Sequence, residues 1–191
     1  MHHHKLAIFA SGSGSNAEQI IKYFSGHPQV QVIAVFTNKP QAGVIDRAEK
    51  LGVPVVVFDR SQLYDQGTVL QELQHRGIDA VILAGFLWLV PGSIIEQFPH
   101  KMLNIHPALL PKYGGAGMYG MHVHRAVLSA GETESGITIH EVNEEFDKGK
   151  IVFQATCAIE AQETPDSLVQ KVHDLEHLHY PRVIEEWLLP P

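Results

Sequence analysis

Short β-branched runs alternate with stretches of helical spacing along most of this chain, and that alternation restricts the fold more than any single residue does. Lys5 to Ala10, Val30 to Thr37, Val53 to Phe58, Ala80 to Ala84 and Met102 to Ile105 read as strands. They are apolar enough to be covered on both faces. Between them, Asn16 to Phe24, Val44 to Leu51, Thr68 to Arg76 and Pro91 to Phe98 carry helix-face spacing, with Gly52 as a stop and Pro91 at a first helical turn. Such repetition requires crossover connections. It therefore implies an α/β, single-domain, Rossmann-like fold: a mostly parallel twisted sheet with helices on both faces. Met121 to Ala130 reads as a further helix, and Gly136 to Val142 and Ile151 to Ile159 alternate like strands of an antiparallel extension near the C-terminus. Thr164-Pro165-Asp166 opens a long terminal helix with an apolar stripe of Leu168, Val172, Leu175, Leu178 and Val183, interrupted at Pro181.

A chain of 191 residues, 45% hydrophobic and 18% charged, fills one core and is short for two domains. The expected domain covers 5–191; residues 1–4 read as a purification-tag remnant, because His2, His3 and His4 stand directly before the first strand. A formal net charge of −7, with no cluster of Lys and Arg, argues against a nucleic-acid partner, whose phosphates would need basic groups. The single cysteine, Cys157, excludes an intramolecular disulfide, no cysteine pair has zinc-ligand spacing, and no metal is expected. No apolar run reaches the roughly 20 residues of a membrane span, and the N-terminus has no signal pattern. A cytoplasmic protein, monomer or homodimer, without a membrane partner is the expectation.

Chemistry concentrates in the segment Leu103-Asn104-Ile105-His106-Pro107. Its period of two puts Asn104 and His106 on one face, so both can act on one bound atom, and Pro107 and Pro111 then stop regular structure as a site loop would. A capped strand with a hydrogen-bonded core histidine is the other reading. The turn Ser11-Gly12-Ser13-Gly14-Ser15-Asn16 between the first strand and first helix can present backbone N–H groups to a phosphate, or can simply be a tight turn capped by Ser15 or Asn16. Gly85-Phe86-Leu87-Trp88-Leu89-Val90 offers flat apolar surface for a ring system, or ordinary core packing. Glu145 to Gly149 reads as a turn, with Asp147 making a local backbone bond and Gly149 at positive φ. His173 and Glu176 are three apart on the last helix and can face one ligand or solvent.

Taken together, Ser-Gly-x-Gly-Ser-Asn, Leu-Ala-Gly-Phe at 83–86, Asn-Ile-His-Pro-Ala-Leu-Leu-Pro-Lys-Tyr at 104–113, His122-Val123-His124, and Gly-Ile-Thr-Ile-His with Asp147 downstream resemble one family. It is the phosphoribosylglycinamide formyltransferases (glycinamide ribonucleotide transformylases) of the folate-dependent formyltransferase superfamily, and the resemblance spans nearly the whole chain. It implies transfer of a formyl group from 10-formyltetrahydrofolate to the amine of glycinamide ribonucleotide in purine biosynthesis, with no metal. Asn104, His106 and Asp147 would be the catalytic set. Gly14, Ser15, Asn16, Gly85, Ile105, Pro107, His173 and Glu176 would bind glycinamide ribonucleotide. The folate would contact Leu87, Trp88, Leu89, Val90, Asn104, Asn143, Glu144, Glu145, Phe146 and Asp147. Amine attack on the formyl carbon creates a tetrahedral oxyanion that needs preorganised donors, a role for the Asn104 amide and a protonated His106. A carboxylate at Asp147 would raise the histidine pKa and relay protons through water. Cys157, in a strand-like run, reads as core. Two departures accompany the resemblance: Gly114 to Met121 is long and glycine-rich, and Trp88 stands where many members carry a basic residue, with no matching arginine around Ser61 to Thr68.

Rival readings separate by chemistry. A methionyl-tRNA formyltransferase shares the trio but implies a second, nucleic-acid-binding domain and basic surface. A 10-formyltetrahydrofolate hydrolase uses water in place of the amine and usually carries an N-terminal regulatory domain. A non-catalytic folate- and phosphate-binding module has no chemical need for Asn104, His106 and Asp147 together.

Overall fold

The structure, a computed structural model, describes residues 3–190. Its strands are β1 (His4–Phe9), β2 (Val30–Thr37), β3 (Val55–Val57), β4 (Ala80–Leu83), β5 (Met102–His106), β6 (Glu134–Glu141) and β7 (Ile151–Ala158). The helices are α1 (Ser15–Tyr23), α2 (Val44–Lys50), α3 (Arg60–Tyr64), α4 (Thr68–His75), α5 (Gly92–Ile95), α6 (Met121–Ser129) and α7 (Pro165–Leu188). One sheet has the order β3-β2-β1-β4-β5-β6-β7. β1 to β5 pair in parallel, whereas β5 with β6 and β6 with β7 are antiparallel. The expected tag reading falls partly outside the described residues; His4 is the first residue of β1 and pairs with Val30.

Strand order reverses at β1, which has β2 on one side and β4 on the other. In open α/β sheets such a switch point opens a crevice at the carboxyl ends of the strands. Alternation along β1 feeds two cores: Leu6, Ile8 and Ala10 join the cluster that includes residues of α1, α2, α6 and α7, and Ala7 and Phe9 join the one that includes α3, α4 and α5. Three connections above the switch point are tied by Ser11. Its hydroxyl donates to Asn38 Oδ1 (2.7 Å) after β2 and accepts the Leu87 N–H (3.0 Å) after β4, while its own N–H donates to Gly85 O (3.0 Å).

Several elements differ from their sequence expectation. β3 is limited to Val55–Val57 because Pro54 has no N–H to donate, although its carbonyl accepts from Val35 (2.9 Å). α3 is a helix that periodicity did not announce; it is set by a capping box in which Asp59 and Gln62 exchange side-chain and backbone bonds. α5 is only Gly92–Ile95, with Pro91 outside it as the cap. α7 opens where expected, after Thr164, which forms a capping box with Ser167, but it runs through Pro181 without a break. Its buried stripe is Leu168, Val172, Glu176, Tyr180 and Ile184, whereas Leu178 lies on the far face, 49% exposed. Spacing by four keeps one face inward, and that face takes in a carboxyl group. Among the described residues no helix is long and apolar enough to cross a membrane.

Candidate active site

The turn after β1 is shaped by one glycine. Gly14 has φ +79°, and a Cβ there would lie 2.5 Å from the Val44 side chain, so α1 starts from a residue that no other side chain can replace without displacing α2. Neither Ser15 nor Asn16 caps α1; the cap residue is Gly14, with no side-chain bond. The Asn16 amide instead donates to Glu176 Oε2 (2.9 Å), tying the turn to α7.

Gly14, Ser15, Asn16, Gly85, Ile105, Pro107, His173 and Glu176 all line one cleft of about 420 Å³, as do Leu87, Trp88, Leu89, Val90, Asn143, Glu145 and Phe146. Asn104, His106 and Asp147 lie in the same cleft. Glu144 is not among its lining residues; its carboxylate faces Gly92, 3.5 Å from where a Cβ would stand. Gly115 to Gly120, within the long glycine-rich stretch, lines one side.

β5 places Asn104 and His106 on one face, and the antiparallel register sets His140 of β6 directly opposite Asn104. The Asn104 Nδ2 is 3.1 Å from His140 Nε2 and 3.4 Å from Asp147 Oδ1. His140 Nδ1 faces the Glu141 carbonyl at 2.8 Å and so carries a proton, while its Nε2 stands between the Asn104 amide and, at 3.5 Å, Asp147 Oδ1. His106 lies between two acceptors: Nδ1 is 3.4 Å from Asp147 Oδ2, and Nε2 is 2.7 Å from the Tyr113 carbonyl. Asp147 Oδ2 also accepts the Gly115 N–H (2.9 Å). The bonds of Asp147 are therefore long-range, and it is Asp147, not Gly149, that adopts positive φ (57°). Gly149 is needed for closeness: a Cβ there would fall 1.6 Å from the Glu141 carbonyl oxygen.

Burial pushes the His106 imidazole below its usual pKa and outweighs the Asp147 carboxylate and the Tyr113 carbonyl, both of which pull it up; His140 adds to the fall. The expected rise from Asp147 is thus present as one influence and loses to desolvation. Burial is also the largest influence on Asp147, pushing it up. His140, the charge of His106 and the Gly115 N–H together overcome it, and the carboxyl stays below its usual range.

A second polar group gathers at the α1 end. Glu176 is 5% exposed, and burial raises its carboxyl pKa against the Asn16 amide and the charge of His173. His124 on α6 is 2% exposed; burial, with the charges of His173 and His106, pushes it down to about 4. His173 Nε2 is 4.0 Å from Glu176 Oε2, and its ring stacks on His177 at 6.1 Å. Here Asn16 Oδ1, His124 Nδ1 and His177 Nε2 are buried without a hydrogen-bond partner.

On the apolar wall, Trp88 packs among Phe58, Tyr64 and Phe86. The Arg60 guanidinium lies 4.8 Å from the Tyr64 ring centroid and 5.9 Å from that of Trp88. It supplies beside Trp88 a basic group that the sequence reading did not place. His124 and His140 enter the sequence reading only inside the motifs of the resemblance, with no role given to either. The Ile137, Thr138, Ile139, His140 alternation carried a signal for His140, because it puts that residue on the polar face of its strand.

The formyl transferase family model matches residues 4–184. A chloroplastic phosphoribosylglycinamide formyltransferase of Arabidopsis thaliana is 41% identical over 94% of this chain and 64% of its own length. The chain thus spans less than two thirds of that relative, and 60% of one from Vigna unguiculata. The phosphoribosylglycinamide formyltransferase of Bacillus subtilis is 32% identical over 96% of this chain and 94% of its own. A crystal structure of the Bacillus halodurans phosphoribosylglycinamide formyltransferase superposes with a TM-score of 0.87 at 34% identity, covering 97% of this chain and 96% of that one.

Proposed function

The chain belongs to the formyl transferase family, and on that premise we propose that it transfers the formyl group of 10-formyltetrahydrofolate to the amine of glycinamide ribonucleotide in de novo purine biosynthesis. The observation that carries this reading is the position of Asn104, His106 and Asp147 in a single cleft between a glycine turn fit for phosphate and an apolar wall fit for a ring system. The amine lone pair attacks the formyl carbon on N10, forming a C–N bond and a tetrahedral oxyanion. Collapse breaks the bond to N10, which takes up a proton as tetrahydrofolate leaves.

Unliganded, both oxyanion donors are engaged, His106 Nε2–H with the Tyr113 carbonyl and the Asn104 amide with His140 and Asp147. The formyl oxygen competes with the Tyr113 carbonyl for the imidazole, and Asp147 stabilises the imidazolium that burial disfavours. Asp147 also accepts, through water, the proton that the amine nitrogen sheds once it has bonded to the formyl carbon. Gly14, Ser15 and Asn16 hold the phosphate, Glu176 the ribose, and Leu87 to Val90 with Asn143 to Asp147 the folate. No metal is required, and a cytoplasmic location goes with this reading, although the Arabidopsis relative is chloroplastic by name. The test follows tetrahydrofolate release from 10-formyltetrahydrofolate with and without glycinamide ribonucleotide. Acceptor-dependent release is expected; acceptor-independent release would mean a hydrolase, and no release a binding module.

A further inference from the structure

His106 Nε2 meets a backbone group, the Tyr113 carbonyl at 2.7 Å, and that carbonyl lies on a stretch that backbone preference does not hold. Tyr113 has φ +56°, a conformation uncommon for a residue with a side chain, and Gly114 and Gly115 follow it. Such a conformation persists only where the surroundings impose it. On the far side the Gly115 N–H donates to Asp147 Oδ2 (2.9 Å), so residues 113–115 touch both His106 and Asp147. The fit is close: a Cβ on Gly114 would stand 2.5 Å from the Leu110 side chain and 3.2 Å from that of Asp147.

On the near side the anchor is a side chain. The Tyr113 hydroxyl donates to Glu132 Oε1 (2.8 Å), on the turn between α6 and β6, and Lys112 Nζ donates to the same oxygen (2.8 Å). Those two bonds, that of Lys112 first, hold the Glu132 carboxyl below its usual pKa. Lys112, Tyr113 and Glu132 line a separate cavity of about 200 Å³, which shares no lining residue with the cleft among the described residues. Glu132 therefore reaches His106 from outside the space that a substrate fills.

We propose that Glu132 is a positioning residue for His106: by anchoring the Tyr113 hydroxyl it keeps the Tyr113 carbonyl on the imidazole, so that the ring is already aimed when the formyl oxygen takes the carbonyl's place. The inference rests on the proposed formyl transfer. An imidazole bonded at both nitrogens has one orientation; without the carbonyl, only the longer contact of Nδ1 to Asp147 (3.4 Å) remains. The titratable groups facing the ring are Asp147 after β6, His140 on β6 and His124 on α6. The carbonyl pulls the imidazole pKa up, so loosening it lets the ring lose its proton at a lower pH. Activity that needs the imidazolium then ends at a lower pH as well.

Turnover is followed as tetrahydrofolate release with glycinamide ribonucleotide from about pH 6 to 9, and His106 is titrated by proton NMR in the unliganded protein. Glu132→Ala should lower kcat roughly ten-fold, the scale of one hydrogen bond, with KM for both substrates unmoved. Its alkaline limb and the His106 midpoint should both move to lower pH. Tyr113→Phe should behave alike, and the double variant should be no worse than either single one, because the two residues act as a unit. Glu132→Gln keeps an oxygen for the tyrosine hydroxyl and should recover most of the loss. An unchanged kcat and midpoint in Glu132→Ala, a loss confined to KM, additive losses in the double variant, or a glutamine as poor as alanine would overturn the proposal. The titration keeps the two readings apart. A lowered midpoint in a protein that transfers no formyl group removes the proposed function alone, and acceptor-dependent turnover with an unmoved midpoint removes the role of Glu132 alone.

Discussion

The two ends of the cleft are built on opposite principles. Around Asp147 every polar group has a partner: Asn104 with His140, His140 with the Glu141 carbonyl, His106 with the Tyr113 carbonyl, Asp147 with Gly115. At the α1 end the buried Asn16 Oδ1 and His124 Nδ1, both on residues that line the cleft, have none. A satisfied network holds its members in fixed rotamers, which is what chemistry at a developing charge needs. Buried orphans cost about 1–3 kcal/mol each, and a ligand that satisfies them recovers that energy as affinity. One end is prepared to react and the other to bind.

The sharpest test of this division is Asp147→Asn. Asparagine tolerates the positive φ of that position, so the fold should survive. We expect kcat to fall by roughly 10²–10⁴-fold with little change in KM for glycinamide ribonucleotide, read by steady-state kinetics. Equal losses in both would dissolve the contrast between the ends. Next in size is the acid limb set by His124. Its folded pKa, about 4, lies below the usual histidine value, so the stability it contributes is complete above about pH 6.5 and is lost as pH falls toward 4. Urea unfolding across that interval should show a loss of about 2–3 kcal/mol in the wild type that largely disappears in His124→Gln.

His140→Ala removes the ring nitrogen that stands against both the Asn104 amide and Asp147 Oδ1 and so holds the amide in place. A drop of about ten-fold in kcat, or ~1.4 kcal/mol, is expected, with KM for the acceptor unmoved; a shift confined to KM would assign His140 to binding instead. The smallest effect is at the binding end. Glu176 has a raised folded pKa, so its contribution to stability is present below the unfolded value and is lost as pH rises through the folded one. Glu176→Gln should therefore melt slightly higher at pH 8, by roughly 2–4 °C for ~1 kcal/mol, while KM for the acceptor rises. A lower Tm would show that the carboxylate is worth more to the fold than its burial suggests.

Much of the architecture was legible because its signals are local. The parallel strands and the helices between them follow from β-branched runs, period and caps, and Asn104 and His106 share a face by strand geometry alone. α3 escaped because its capping box lies in a polar stretch of five helical residues with no stripe to read. Leu178 was placed inward because a leucine is the default core residue, whereas the structure buries Glu176 in that stripe through its bond to Asn16, whose position 160 residues away no helix pattern encodes. His140, quoted in a motif, had no role assigned for a similar reason. Its importance comes from the register that sets it opposite Asn104, and pairing between strands is a property of the assembled sheet. The fall in the His106 pKa likewise depends on how deeply the cleft is covered, which composition does not report.

Ser11 has a consequence for how such a scaffold can change. One hydroxyl and one backbone N–H join the loops after β1, β2 and β4, so the anion turn and the wall at Leu87 share a single clasp. The two are not separate modules. Grafting a different turn to recruit another phosphorylated acceptor would loosen the surface that receives the donor, and a new specificity at this end of the sheet has to be acquired for both molecules together.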